Sequence, residues 1–240
     1  MENLYAYPWR GRGNNCHTYL FANVLRGERP HVLIDPGHVV NELGEHCLGF
    51  LLNQMSLDRI RPEEVGLILN THSHPDHCQA NKAIVERSCG EGGIGRALIA
   101  LSGEEDEFRR VHGVGMLGLT ADFEPDFYLQ EGELSLGQGE KKLTLQVFHT
   151  PGHTPGSLCF YWPKNKVLFT GDVLFYGGVG RTDLPGGNGK ELRRSIQRLS
   201  ELDVEYILPG HSTEFGDLIR GRDKVRENFA FLRMNYFPLL

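Results

Sequence analysis

The chain is expected to fold as an α/β protein in which two sheets pack face to face with helices outside, as a single domain over residues 1–240. Three observations predict this. Short apolar runs broken by Gly, Pro or Asn recur in both halves and read as strands. Amphipathic stretches of helical period follow strands in each half. Residues suited to metal ligation stand just after strand-like runs in both halves, so both halves must deliver side chains to one sheet edge.

Taken in order, Thr18 to Leu25 and His31-Val32-Leu33-Ile34 read as a hairpin that ends at Asp35-Pro36-Gly37. From Val39 to Met55, the residues Val40, Leu43, Cys47, Phe50 and Leu51 recur at roughly helical spacing. Val65 to Leu69 is the next strand, giving a β-β-α-β opening. Leu98 to Leu101 is another, and Ser102 followed by Glu104, Glu105 and Asp106 reads as a capped helix start. Residues 112–125 are Gly-rich, with Met116, Leu117 and Leu119, and suit either a flap or, more readily, a surface loop. Phe127 to Leu129, Leu143 to Phe148, Leu158 to Trp162 and Val167 to Thr170 imply a second sheet. Lys190 to Leu202 is helical, Val204 to Leu208 a strand, and the segment after Arg222 helical again.

Composition narrows the function. A chain of 240 residues with 40% hydrophobic content can bury a substantial core. A net charge of −6 argues against tracking a phosphate backbone, so no nucleic-acid partner is expected. The opening MENLYAYPWRGRGNNC has no apolar core behind a basic flank, and no eighteen apolar residues run together. Five Cys, an odd number without a CxxC pair, argue against a disulfide framework or a Cys-based zinc site. A soluble cytoplasmic protein without a membrane partner is the expectation.

The most informative stretch is Thr71-His72-Ser73-His74-Pro75-Asp76-His77, which places four potential metal ligands within six positions after the Val65 strand. At this His content such a cluster arises by chance roughly once in a thousand sequences. Extended chain sends His72 and His74 to one side, toward one ion. Pro75 suits the first turn of a helix over DHCQANKAIVER, which turns Asp76 and His77 toward a second ion and sets Asp76 at a helix N-terminus. His153 in HTPGHTPGS, Asp172 in LFTGDVLF and His211 in ILPGHS supply the missing ligands. Shared as His72, His74 and His153 on one ion and Asp76, His77 and His211 on the other, with Asp172 bridging, the set leaves each ion an open position.

HSHPDH, HTPGHTPGS, FTGDVLF and LPGHS, in this order and preceded by LIDPG, resemble the metallo-β-lactamase superfamily over most of the chain. That resemblance implies a four-layer αββα sandwich with a dinuclear site at one edge. Within the superfamily, GRTDLPGG from Gly180 is similar to the compact glyoxalase II-like hydrolases, which cleave hydroxyacyl thioesters of glutathione. It is similar also to the persulfide dioxygenases, which would use one iron on His72, His153 and Asp172.

The chemistry follows from the donors. Two divalent ions, two carboxylates and a shared hydroxide leave a residual positive charge, which suits a small anionic substrate. The expected function is a metal-dependent hydrolase in which a bridging hydroxide attacks a thioester or ester carbonyl, with Asp76 orienting it and accepting its proton. His/Asp ligation suits zinc, and iron and manganese also fit. A lactonase and a non-catalytic metal-binding module are the further alternatives, and a homo-oligomer is compatible with all. Around the ligands, Asp35 is expected to orient a ligand His or close a turn, and His149 to support His153 or serve structure more readily than to ligate in its place. Arg181 is expected to pair with Asp183 or meet a substrate carboxylate. Tyr176, with Phe175, is expected to line the entrance or pack. Cys78 is expected to be a buried inert thiol. The basic stretch from Arg220 to Arg226 reads as a solvated helix face or a grip for an anionic carrier. His17, His31, His38, His46 and His112 show no ligand spacing.

Overall fold

The computed structural model describes residues 3–90, 95–112, 122–139 and 142–240. Most of the Gly-rich stretch 112–125, with Met116, Leu117 and Leu119, lies outside the described residues. The chain divides into two compact units, the first built mainly from Met1–Leu101 and the second mainly from Thr144–Leu240 together with Ser102–His112.

The first unit is a sheet in the order β1-β2-β3-β4-β5-β6. Its strands are β1 (Leu4–Tyr7), β2 (Thr18–Phe21), β3 (His31–Ile34), β4 (Val65–Leu69), β5 (Leu98–Ser102) and β6 (Phe127–Leu129). β2 and β3 pair antiparallel as the expected hairpin, with Leu20 opposite Leu33, whereas β3, β4 and β5 are parallel. Parallel strands buried on both faces need unbroken apolar runs, and HVLI and VGLIL supply them. The opening is β-β-β-α-β, because the short run LYAY adds an unforeseen strand on the outside of β2. β6 also departs from expectation: it belongs to this sheet and not to the second. Asp126 draws it in, its backbone N–H donating to the Ile99 carbonyl and its carboxylate accepting from the Ile99 N–H.

Helix α1 runs Cys47–Leu57, eight residues shorter at its start than the expected Val39. Asn41 explains the delay, since its side-chain oxygen accepts from the Leu43 and Glu45 N–H groups and holds a turn that competes with helix. The helix buries Cys47, Leu48, Leu51 and Met55 on one face, in a cluster with Leu20, Leu33, Ile68 and Ile84. Each of these aliphatic side chains contributes about 1.5–3 kcal/mol by leaving water. The helical run after Pro75 is divided into α2 (Pro75–Cys78) and α3 (Asn81–Ser88).

The second unit is a sheet in the order β14-β13-β10-β9-β8-β7. Its strands are β7 (Gly132–Leu136), β8 (Leu143–His149), β9 (Leu158–Trp162), β10 (Val167–Gly171), β13 (Tyr206–Pro209) and β14 (Ile219–Arg220), with a small hairpin of β11 (Leu174–Phe175) and β12 (Gly178–Val179) beside it. β7 and the short β11, β12 and β14 were not anticipated. Helix α4 (Gly103–His112) starts at Ser102, whose hydroxyl accepts the Glu105 N–H at 3.1 Å, as a cap should. Helix α5 (Gly189–Leu199) is capped by Asn188 and buries Leu192, Ser195, Ile196 and Leu199; α6 (Arg222–Asn235) buries Val225, Asn228, Phe229 and Leu232. Both patterns are the i, i+3, i+4, i+7 stripe of a helix lying on a core. No helix among the described residues is long and apolar enough to cross a membrane.

Strand direction positions the functional side chains. In the first unit β3, β4 and β5 point the same way, so Asp35 and Thr71 leave the sheet at one edge. In the second, β8 and β10 each run antiparallel to β9 and β10 is parallel to β13, so the segments bearing His153, Asp172 and His211 all leave at one edge too. Side chains outside the carboxyl ends of such strands are the ones free to build a site.

Candidate metal centre

In the first unit His72, His74, Asp76 and His77 are all buried, with His77 0% exposed. Burying four such groups together costs free energy unless their polar atoms are matched. The matching starts at Asp35, in the left-handed region at φ 50° and 2% exposed. Its Oδ1 accepts the Thr71 N–H at 2.9 Å, and its Oδ2 accepts the Thr71 hydroxyl at 2.6 Å and the His77 Nδ1–H at 2.9 Å. Thr71 has now donated its one hydroxyl proton, so at 3.1 Å its oxygen can only accept from His72 Nδ1. Both imidazoles are thereby held with the proton on Nδ1, which leaves Nε2 as the unprotonated nitrogen.

Those nitrogens stand beside further potential ligands. His72 Nε2 lies 3.1 Å from His74 Nδ1, and His77 Nε2 lies 3.9 Å from Asp76 Oδ2. Asp76 Oδ2 also receives the Asn14 amide N–H at 2.8 Å. Cys78 points elsewhere, its thiol donating to the Ser73 and His74 carbonyls. Gln79 accepts from the Val39 N–H and meets the His38 ring at 3.1 Å.

The second unit repeats the arrangement with a backbone acceptor. His153 Nδ1 lies 2.8 Å from the Arg181 carbonyl, which can only accept, so Nε2 is again the bare nitrogen. It stands 3.6 Å from Asp172 Oδ2, and His211 Nε2 stands 3.4 Å from the same oxygen. Asp172 and His211 are kept adjacent by the Gly210 N–H donating to the Gly171 carbonyl at 2.8 Å. Gly180 lets its loop cross directly over Asp172, because a Cβ there would lie 1.8 Å from the Asp172 carbonyl oxygen.

The loop that carries His153 is tied at several points. Ser195 Oγ donates to the Pro151 carbonyl, Ser102 Oγ to the Gly156 carbonyl, and the Gly156 N–H to the buried Glu105 carboxylate. His149 Nε2 donates to the Pro155 carbonyl at 2.9 Å, which gives it a bracing place in this loop. Arg181 makes a two-pronged pair with Asp183. Tyr176 packs against Phe215, and Phe175 presents its ring to His211 with centroids 6.0 Å apart. Among the histidines without ligand spacing, His17 Nδ1 accepts the Trp9 N–H and His31 Nδ1 the Asn23 N–H.

The donor set fits divalent metal in each unit. Imidazole nitrogens and carboxylate oxygens stand 3.1 to 3.9 Å apart, a spacing that suits donors sharing a cation about 2.0–2.2 Å from each. The sequence pointed to the donors and to Asp35, but not to the other supports. Asn14 lies in the polar loop GNNC, Thr71 is the first residue of the ligand stretch itself, and the Arg181 carbonyl is a backbone atom that no side-chain pattern can reveal.

Several known proteins are similar to the chain over most of its length. Hydroxyacylglutathione hydrolase GloC of Haemophilus influenzae is 32% identical over 221 residues, spanning 88% of this chain and 91% of that protein. The solved structure of TTHA1623 in a di-iron-bound form superposes with a TM-score of 0.65 at 30% identity, over 98% of this chain and all of that one (100%). A metallo-beta-lactamase family protein from Thermus thermophilus, TTHA1429, has the same fold, with a TM-score of 0.73 at 21% identity over 98% of this chain and 80% of that one. The metallo-beta-lactamase superfamily model matches residues 11–211, which reach from the Asn14 loop to His211. With two large sheets, helices on each and His/Asp clusters at the strand ends, the chain belongs to the metallo-β-lactamase superfamily and has its mixed α/β fold.

Proposed function

We propose that the chain is a dinuclear metallo-hydrolase that cleaves a thioester or ester of a small anionic molecule, a hydroxyacyl-glutathione-like compound being the leading substrate. In this reading His72, His74 and His153 would hold one ion and Asp76, His77 and His211 the other, with Asp172 available to both. The observation that supports it best is the fixed tautomers: Asp35, Thr71 and the Arg181 carbonyl each take an Nδ1 proton, which leaves His77, His72 and His153 with Nε2 donors. Such outer partners commonly govern metal affinity by 10–100-fold. Zinc is the preferred ion by donor chemistry, with iron and manganese suited as well.

Bound divalent ions would lower the pKa of water toward neutrality and polarise a carbonyl. The protein's own groups do the rest. Asp76, held by the Asn14 amide, orients the attacking water and takes its proton. The Phe175 ring stands against His211, and Tyr176 follows it in the chain. The similarity to a protein named as a hydroxyacylglutathione hydrolase, over nearly the whole of both chains, supports the thioester class.

The test is elemental analysis of the native protein followed by turnover of hydroxyacyl thioesters of glutathione, lactones and persulfides on the same sample. About two metal ions per chain with thioester hydrolysis is the expected result. A single iron with oxygen uptake on persulfide would replace this reading with that of a dioxygenase.

A further inference from the structure

We propose that a cavity beside the second-unit ligands, lined by Tyr176, Phe215, Phe231 and Lys224, is a specificity pocket for a ring-sized apolar substituent of the substrate; this rests on the hydrolase reading above. The cavity measures about 190 Å³. That is close to the ~150 Å³ of a protein cavity known to accept benzene, and too small for a whole peptide-like carrier.

Tyr176 and Phe215 of its wall come from the loops that bear metal-ligand candidates, and Lys224 and Phe231 come from α6. Tyr176 lies four residues after Asp172, and Phe215 four after His211. Their rings touch with centroids 6.0 Å apart, and Phe215 continues to Phe231 at 5.8 Å, so an aromatic surface leads away from the ligands. Phe215 is 50% exposed and Phe231 38%, an unfavourable arrangement for large apolar side chains unless something else covers them.

The pocket is also preformed. Buried Asn228 accepts the Gly177 N–H at 2.7 Å and donates to the Phe175 carbonyl at 3.0 Å. The Tyr236 hydroxyl donates to the Gly177 carbonyl, and the Thr213 hydroxyl to the Tyr176 carbonyl. Gly177, at φ +70°, leaves room for the Phe215 ring, which a Cβ would approach to 2.4 Å. Four hydrogen bonds and a glycine thus fix the wall before any ligand arrives, which lowers the ordering cost of binding. At the mouth, Lys224 and Glu227 bring opposite charges, so selection rests on apolar size and shape more than on charge.

Two measurements on the full chain test this. Metal-loaded wild type, Phe215→Ala and Phe231→Ala are compared on acetyl and phenylacetyl thioesters of glutathione, and binding of benzyl alcohol to the metal-free proteins is followed by saturation-transfer NMR. The ratio of kcat/KM for phenylacetyl over acetyl is expected to fall about tenfold in each variant, with saturation transfer to the benzyl ring weakened in step. An unchanged ratio, or no saturation transfer to wild type, overturns the pocket. So do variants that convert an oligomer to a monomer, because the rings would then belong to an interface between copies. If wild type hydrolyses no thioester, the hydrolase reading fails, while benzyl alcohol binding that the two variants abolish still supports the pocket.

Discussion

Asn in place of Asp35 is the substitution that probes the centre with least disturbance to the fold. It has the same shape, and Asn tolerates the left-handed backbone at φ 50° as well as Asp does. The Thr71 N–H at 2.9 Å must keep its acceptor, which places the amide oxygen at the Oδ1 position and the NH2 group at Oδ2. That NH2 faces the Thr71 hydroxyl and His77 Nδ1, both of which donate in the native arrangement. His77 must then accept at Nδ1 and carry its proton on Nε2. Thr71 must turn its own proton toward His72 Nδ1, moving the second imidazole proton to Nε2 as well. One amide therefore reverses two ligand nitrogens, one in each proposed ion set. With a loss of about 10–100-fold per disrupted outer partner, metal affinity in Asp35→Asn should fall by at least tenfold. The assay is competition against a chromophoric chelator, with thermal melting of the metal-free protein as a control for folding. Affinity within about twofold of wild type, in a protein that melts normally, refutes the tautomer argument.

Three further outcomes follow from the same geometry. Glu105→Ala removes the acceptor of the buried Gly156 N–H beside His153 and should lower stability by about 1–3 kcal/mol and loosen metal binding, whereas Glu105→Gln, which keeps an acceptor, should restore most of both in denaturant and chelator titrations. The Arg181 guanidinium pulls the Asp183 carboxyl down to about 2. Because this lies below the unfolded value, the pair's small contribution is present above about pH 4 and lost as pH falls toward 2. Arg181→Ala should return the Asp183 midpoint to the ordinary carboxylate range in an NMR titration. Burial pushes the Cys47 and Cys159 thiols up to about 12, and Cys89 alone among the five is exposed. Iodoacetamide at pH 8 should therefore add one group, at Cys89, by peptide mass mapping of the native protein.

Much of this arrangement was legible in the residues because metal donors are side chains with a spacing. His72, His74, Asp76 and His77 declare themselves by alternation followed by Pro75, and they do gather in the first unit. His153, Asp172 and His211 follow β8, β10 and β13, strands whose apolar runs were visible. What escaped depended on local competition or on backbone atoms. The start of α1 was misplaced because Asn41 captures two N–H groups that a periodic apolar pattern would assign to helix. β6 was placed in the wrong sheet because Asp126, a turn residue by type, behaves as its anchor to β5. The Arg181 carbonyl that orients His153 carries no signature at all, since any residue at that position offers one.

The most direct test of the central claim is the number of metal ions that the chain holds. Metal-free protein titrated with zinc, dialysed and analysed for metal should retain about two equivalents, and His153→Ala and His211→Ala should each lose about one of them. Retention of one ion or none by the wild type, or two ions undiminished in both variants, would contradict the proposed dinuclear reading.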